Sequence, residues 1–251
     1  MLAKRIIPCM DIKDDRVVKG THFKNLIDSG DPLELAEQYA GQGADELVLL
    51  DVAATVEERK HRVELVKAVA EKISIPFSVG GGVSKPEHVR ELLNAGADKV
   101  SIGSAAVNDM DFVRRACDEF GSQAIIVSID PMKNGDKWEV YIKGGRENTH
   151  IDAIEFAHAM QEAGVGELLV NSLDRDGTKK GFDIELLKNI SEEVDIPVIA
   201  SSGAGSLEDF VEVFKNTEVT AALGASVFHK GEFTVGQVKT KLRENGLEVR
   251  L

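Results

Sequence analysis

Short apolar runs alternate with longer amphipathic ones along the whole chain. The short runs predict strands at Arg5–Met10, Glu46–Asp51, Phe77–Val79, Lys99–Ile102, Ala124–Ile129, Glu167–Asn171, Val198–Ser201 and Ala221–Leu223. After each comes a segment with apolar residues at helical spacing: Pro32–Gln42, Val56–Lys72, Pro86–Ala95, Asp109–Phe120, Ile151–Ala163, Ile184–Val194, Leu207–Phe214 and Val235–Asn245. Helix starts carry capping residues at Asp31-Pro32, Ser84-x-Pro86, Asn108 and Ser206-x-x-Asp209. Eight strand-then-helix units in 251 residues predict a (β/α)8 TIM barrel, with residues 1–251 forming a single domain. An open doubly wound sheet is the structural alternative, but no GxGxxG follows the first strand.

The two halves repeat. Gly43-Ala44-Asp45-Glu46-Leu47 matches Gly164-Val165-Gly166-Glu167-Leu168 at an offset of 121, and Ile75-Pro76 and Gly103 match Ile196-Pro197 and Gly224 at the same offset. Asp11 and Asp130, at the ends of the first and fifth strands, are offset by 119. The expected architecture is therefore twofold pseudosymmetric, with half-barrels at approximately 1–120 and 121–251. Paired equivalent positions are the natural place to look for chemistry.

Composition narrows the function classes. Asp and Glu number 43 against 30 Lys and Arg, a net charge of −13, which disfavours nucleic acid as the main partner. Small phosphorylated ligands stay open, because backbone amides hold phosphate without net positive charge. Cys9 and Cys117 have no disulfide-framework or metal-ligand spacing and read as buried small hydrophobes. No metal and no cofactor is assigned. No apolar run approaches a membrane span and the N-terminus has no signal-like apolar region, so the expectation is a cytoplasmic protein without membrane contact.

Two kinds of constellation carry chemistry. Glycines stand at the carboxyl ends of strands in Val79-Gly80-Gly81-Gly82-Val83, Gly103-Ser104, Ser201-Ser202-Gly203-Ala204-Gly205 and Gly224-Ala225-Ser226. Without a Cβ, an oxyanion approaches the amides that open the next helix. A tight strand-to-helix turn needs glycine anyway, so each alone is weak. Together they follow strands three, four, seven and eight, opposite pairs in an eight-stranded ring, which suggests a long substrate with a phosphate at each end. The carboxylates come second. Arg5, Ile7, Cys9 and Asp11 share a face of strand one, and Ala124, Ile126, Ser128 and Asp130 share one of strand five. If both faces point inward, the two aspartates meet in one mouth, placed for acid and base steps. The bland reading is loop capping, or pairing with Lys19.

Other polar residues fill in the picture. Asp174-Arg175-Asp176-Gly177-Thr178 follows strand six and reads as a turn, with amides and the Thr178 hydroxyl available to the second phosphate. Asp51, ending strand two, is a candidate for ribose hydroxyls. At the opposite ends of the strands stand Arg5, Glu46, Lys99 and Glu167, either a salt-bridged plug or a gate for a small molecule. The connections after strands one (Ile12–Gly30) and five are long and read as lids, and Lys19 is carried on the first. The second holds an Asn134-Gly135 hairpin signal, strand-like alternation over Lys137–Ile142 and Gly144-Gly145-Arg146.

Cys9-Met10-Asp11-Ile12-Lys13, Arg16-Val17-Val18-Lys19-Gly20, Val79-Gly80-Gly81-Gly82, Asp98-Lys99-Val100-Ser101-Ile102, Ser128-Ile129-Asp130, Asp174-Arg175-Asp176-Gly177-Thr178 and Ser226-Val227-Phe228-His229 together resemble the cyclase subunits of imidazole glycerol phosphate synthase, from Leu2 to the C-terminus. The resemblance implies a (β/α)8 barrel of histidine biosynthesis. It implies that ammonia from a glutaminase partner converts a bis-phosphorylated phosphoribulosyl-formimino aminoimidazole carboxamide ribonucleotide to imidazole glycerol phosphate and aminoimidazole carboxamide ribonucleotide. By the same resemblance Asp11 and Asp130 are the acid/base pair. Gly82, Gly103 and Ser104 bind one phosphate, and Asp176, Gly177, Gly203, Ala225 and Ser226 the other. Arg5, Glu46, Lys99 and Glu167 form an ammonia gate facing the glutaminase, on the barrel's N-terminal face. Gly81, Thr178, Ser201, Lys19, Asp51 and Asn171 complete the substrate-site candidates. The chain departs from the family pattern at Gly103 (usually Asn), Ser202 and Asp15 (usually Gly), Asn171 (usually Thr) and Pro131-Met132 (usually Ala-Lys). Competing readings are the sister isomerase of the same pathway, which needs no charged floor, and a non-catalytic phosphate-binding scaffold.

Overall fold

The computed structural model describes residues 3–21, 24–52 and 63–250. Eight parallel strands close a ring in the order β1 (Arg5–Lys13), β4 (Leu47–Asp51), β5 (Phe77–Gly80), β6 (Lys99–Ile102), β7 (Ile125–Asn134), β10 (Glu167–Asn171), β11 (Val198–Ser201) and β12 (Ala221–Gly224). The last strand pairs back onto the first, with Arg5 opposite Ala221 and Ile7 opposite Leu223. Helices lie between successive strands, so the chain is a (β/α)8 TIM barrel.

Strand alternation sorts the apolar residues into two cores. Ile7, Cys9, Val48, Ile126, Leu169, Ile199, Ala221 and Leu223 form one cluster in the barrel interior. The residues between them in sequence, such as Ile6, Leu47, Ile125 and Leu168, join the larger core under the helices. The shared inward face of Arg5, Ile7, Cys9 and Asp11 is thereby observed, as is that of Ile126, Ser128 and Asp130.

The two long connections are not loops. The first is a pair of strands, β2 (Arg16–Thr21) and β3 (Lys24–Gly30), folded back on an extended β1. Asp14 and Asp15 turn the chain there with φ of 51° and 60°, the pattern of a tight hairpin turn that usually takes glycine or asparagine. The second is β8 (Lys137–Ile142) and β9 (Glu147–Asp152) on an extended β7. Matching insertions thus follow the first and fifth barrel strands, and matching aspartates close them. Asp31 and Asp152, 121 residues apart, each cap a helix through two backbone amides: α1 (Pro32–Gly41) and α6 (Ala153–Glu162).

Two expected caps shift by one residue. Pro86 is the first residue of α3 (Pro86–Asn94), where its missing N–H costs nothing, so the cap position falls on Lys85, and Ser84 is one residue too early. Asn108 ends the short α4 (Ser104–Asn108), and Asp109 caps α5 (Met110–Phe120) by accepting from Phe112 N at 2.8 Å. Ser206 and Asp209 make the expected capping box on α8 (Leu207–Asn216). The helix expected over Val56–Lys72 is described as α2 (Val63–Lys72), its first part lying outside the described residues. At the barrel floor, Lys239 of α10 (Val235–Glu244) is buried against Asp45, 2.9 Å away, and also donates to Gly43 O. No helix among the described residues is long and apolar enough to cross a membrane.

Candidate active site

Asp11 and Asp130 lie near the carboxyl ends of β1 and β7, four strands apart in the eight-stranded ring and therefore on opposite sides of the mouth. Asp11 is 3% exposed, with Cys9 Sγ 3.7 Å from its Oδ1. Asp130 is partly buried, and Asn171 Nδ2, on the adjacent β10, donates to its Oδ1 at 2.9 Å. The same amide donates to Ser128 Oγ at 2.9 Å, which fixes the carboxamide between two inward-facing groups of β7. Burial pushes the Asp130 carboxyl up to about 6; the Asn171 hydrogen bond opposes this and the nearby Asp176 charge adds to it. A carboxyl poised there both gives and takes a proton near neutrality.

The glycine-rich turns sit around the same mouth. A recess between the ends of β10, β11 and β12 is lined by Asp176, Gly177, Ser201, Gly203, Ala225 and Ser226, all expected from sequence. Gly203 has φ +97°, and a side chain there would overlap the Gly181 carbonyl; glycine is required by packing as well as by any ligand. Thr178 is held differently: its hydroxyl donates to Arg175 O at 2.8 Å inside its own turn. Lys179 also lines the recess; in the sequence it is one of two adjacent lysines in a polar turn and carries no signal.

On the β5–β6 side, Gly81 has φ +103° and is pressed against Asp51, the end of β4, so that a side chain would overlap the Asp51 carbonyl. Gly82 follows, also at positive φ. Across the turn after β6, nothing lies within 4 Å of where a Gly103 Cβ would stand, so the position usually taken by Asn in the resembling family is open space. Ser104 opens α4, and its hydroxyl accepts from Lys143 N at 3.0 Å, tying the β8–β9 hairpin to this turn. Lys19 lies in β2, with its side chain outside the described set.

At the other end of the barrel Arg5, Glu46, Lys99 and Glu167 close a ring of alternating charges. Arg5 reaches Glu46 at 2.6 Å and Glu167 at 2.5 Å; Lys99 reaches Glu46 at 2.9 Å and Glu167 at 2.8 Å. Burial alone would push Glu46 up, but the joint pull of Arg5 and Lys99 holds it below the usual range. Between floor and mouth, the interior carries small residues where β5 and β6 meet. Ser101 Oγ is buried there, with no hydrogen-bond partner among the described residues.

Ser202 occupies a backbone conformation that favours glycine. It holds φ +76° in the wall of the recess, where a non-glycine residue costs about 1–2 kcal/mol. Glycine loses about 0.5–1 kcal/mol more chain entropy on folding. Ser202→Gly is therefore expected to stabilise the fold by up to about 1 kcal/mol, raising the melting temperature by about 2–4 °C. A fall in the calorimetric midpoint would mean that the serine side chain contributes more than its backbone costs.

Comparison with known proteins places this geometry among relatives. The family model described as histidine biosynthesis protein matches residues 5–234. The imidazole glycerol phosphate synthase subunit HisF of Bacillus cereus (strain G9842) is 53% identical over 252 residues, covering 100% of both chains. Its namesake from Synechococcus sp. (strain ATCC 27144 / PCC 6301 / SAUG 1402/1) is 52% identical over 254 residues, again covering 100% of both.

Proposed function

We infer the chemistry from one premise: the chain belongs to the histidine biosynthesis protein family and, within it, to the HisF group, the cyclase subunits of imidazole glycerol phosphate synthase. Its reaction is then closure of the imidazole ring with ammonia. The substrate is the bis-phosphorylated phosphoribulosyl-formimino aminoimidazole carboxamide ribonucleotide, and the products are imidazole glycerol phosphate and aminoimidazole carboxamide ribonucleotide. The observation that carries this reading is the pair of aspartates on opposed strands of one mouth, with glycine-rich turns beside each.

Each part has a task. The recess at Asp176, Gly177, Gly203, Ala225 and Ser226, with Ser201 and Thr178 nearby, takes one phosphate. The turns at Gly81, Gly82, Gly103 and Ser104 take the other, so the substrate spans the mouth and its ribulosyl carbonyl lies between the aspartates. Lys19 and Asp51 serve the substrate from the rim. Asp130 protonates the carbonyl oxygen as ammonia adds to form the imine. Asp11 moves protons during ring closure and protonates the departing amine. Asn171 orients Asp130, because its amide holds the carboxylate toward the mouth.

Ammonia enters from the other end. The relatives are named as subunits, and the partner proposed here is a glutaminase forming a heterodimer on the N-terminal face, over the Arg5, Glu46, Lys99 and Glu167 ring. That ring closes the floor in this structure, and the proposed gate opens when one cation leaves it. Ser101, buried on the interior wall, offers ammonia a hydrogen-bonding stop on the way. Such a complex belongs in the cytoplasm, where glutamine and both nucleotides are available.

An assay with the bis-phosphate substrate and ammonium salt tests the reading. Ring closure with release of aminoimidazole carboxamide ribonucleotide is the expected result. Conversion of only the earlier aminoaldose would mark the sister isomerase, and no turnover of either would mark a scaffold.

A further inference from the structure

A phosphate in the recess beside Ser201 and Gly203 meets backbone amides, but one lining side chain, Asp176, repels it. Lys179 is the one cation among the described residues that lines the recess. Its backbone is fixed: φ is +55°, and its carbonyl packs so closely on Gly205 that any side chain at 205 would overlap it. Its ammonium is not turned to the recess alone. It is paired with Glu232, and the two side chains are 33% and 35% exposed. A pair that open to water is held weakly. A phosphate dianion, with more charge and three acceptor oxygens, competes for the same ammonium on favourable terms.

We propose that Lys179 is a phosphate-binding side chain of this recess and that Glu232 holds it in reserve, the ammonium passing from the Glu232 carboxylate to a phosphate oxygen when substrate binds. This deepens the reading of the recess as a phosphate site and rests on it. The exchange requires no proton transfer: the lysine stays charged, and Glu232 turns to solvent. It also explains why a chain of net charge −13 can draw a dianion into a recess that contains Asp176.

The two partners predict opposite effects. Inorganic phosphate is titrated into the full-length chain and the amide resonances of Gly203 and Ser226 are followed by NMR. Lys179→Met is expected to weaken phosphate binding at these amides about tenfold. Glu232→Gln, which releases the lysine, is expected to tighten it about threefold. Resonances remote from the recess report that each variant is folded, and Glu232→Gln alone still tests the exchange if Lys179→Met is not. Wild-type binding together with tightening in Glu232→Gln supports the exchange. Wild-type binding with no change in either variant, or with weakening in both, overturns it and leaves the phosphate site standing. Absence of wild-type binding at Gly203 and Ser226 overturns both.

Discussion

Asp11→Asn is expected to lower ammonia-dependent ring closure by at least about a hundredfold, since a positioned acid/base group contributes about 10²–10⁴ in rate. The substitution is nearly isosteric and the site is buried, with Asp11 3% exposed. It removes the ability to accept and return a proton while keeping the side chain's volume. The residue is anchored on both sides by backbone pairing, Asp11 lying opposite Leu50 in the parallel ladder and opposite Val18 in the hairpin. The mouth's geometry therefore survives the change. The Michaelis constant should move less than about threefold, because the phosphates, and not Asp11, carry ground-state binding. Steady-state kinetics with saturating ammonium salt separate the two parameters. Turnover within a few-fold of the wild type would refute the role, and a large rise in KM alone would reassign Asp11 to binding.

Much of this candidate site is legible in the sequence. The inward face of Asp11 follows from counting in twos along Arg5, Ile7, Cys9 and Asp11, and the ring then places it opposite Asp130. The β7–β8 hairpin is announced by Asn134-Gly135 and by clean alternation over Lys137–Ile142. The β1–β2 hairpin carries no such signal. Its turn is Asp14-Asp15, where asparagine and glycine are the usual residues, and β2, RVVKGT, lacks strict alternation. The Asn171–Asp130 hydrogen bond joins residues 41 apart in sequence. Parity on strands five and six implies it once those strands are known to be neighbours. The Lys179–Glu232 pair, 53 residues apart, is set by where two loops happen to converge, and no periodicity encodes that.

Asp130 sets two pH dependences in one side chain, both falling as pH rises, and Asp130→Asn is expected to remove both. In catalysis the protonated carboxyl is the acid for the early steps. With its titration near 6, its protonated fraction falls as pH rises through that value, so wild-type kcat measured at constant free ammonia should decline on the alkaline side of about 6. Asp130→Asn should lose about 10²–10⁴ in kcat and show no such limb. Stability runs the other way for the variant. In the native state the carboxyl is raised to about 6, above the value near 3.9 of an unfolded chain. This carboxyl's contribution to stability is therefore fully present below about pH 4 and is lost as pH rises through about 6, where the folded protein must hold it ionised. The gap between the two values corresponds to about 3 kcal/mol above that range. An asparagine does not ionise, and its Oδ1 still accepts from the Asn171 amide. Asp130→Asn should accordingly melt above the wild type at pH 7–8, with the two melting curves converging toward pH 4. A variant that melts below the wild type at pH 8 would show that the native carboxylate is stabilised there, and the acid role in the mechanism would then lose its physical basis.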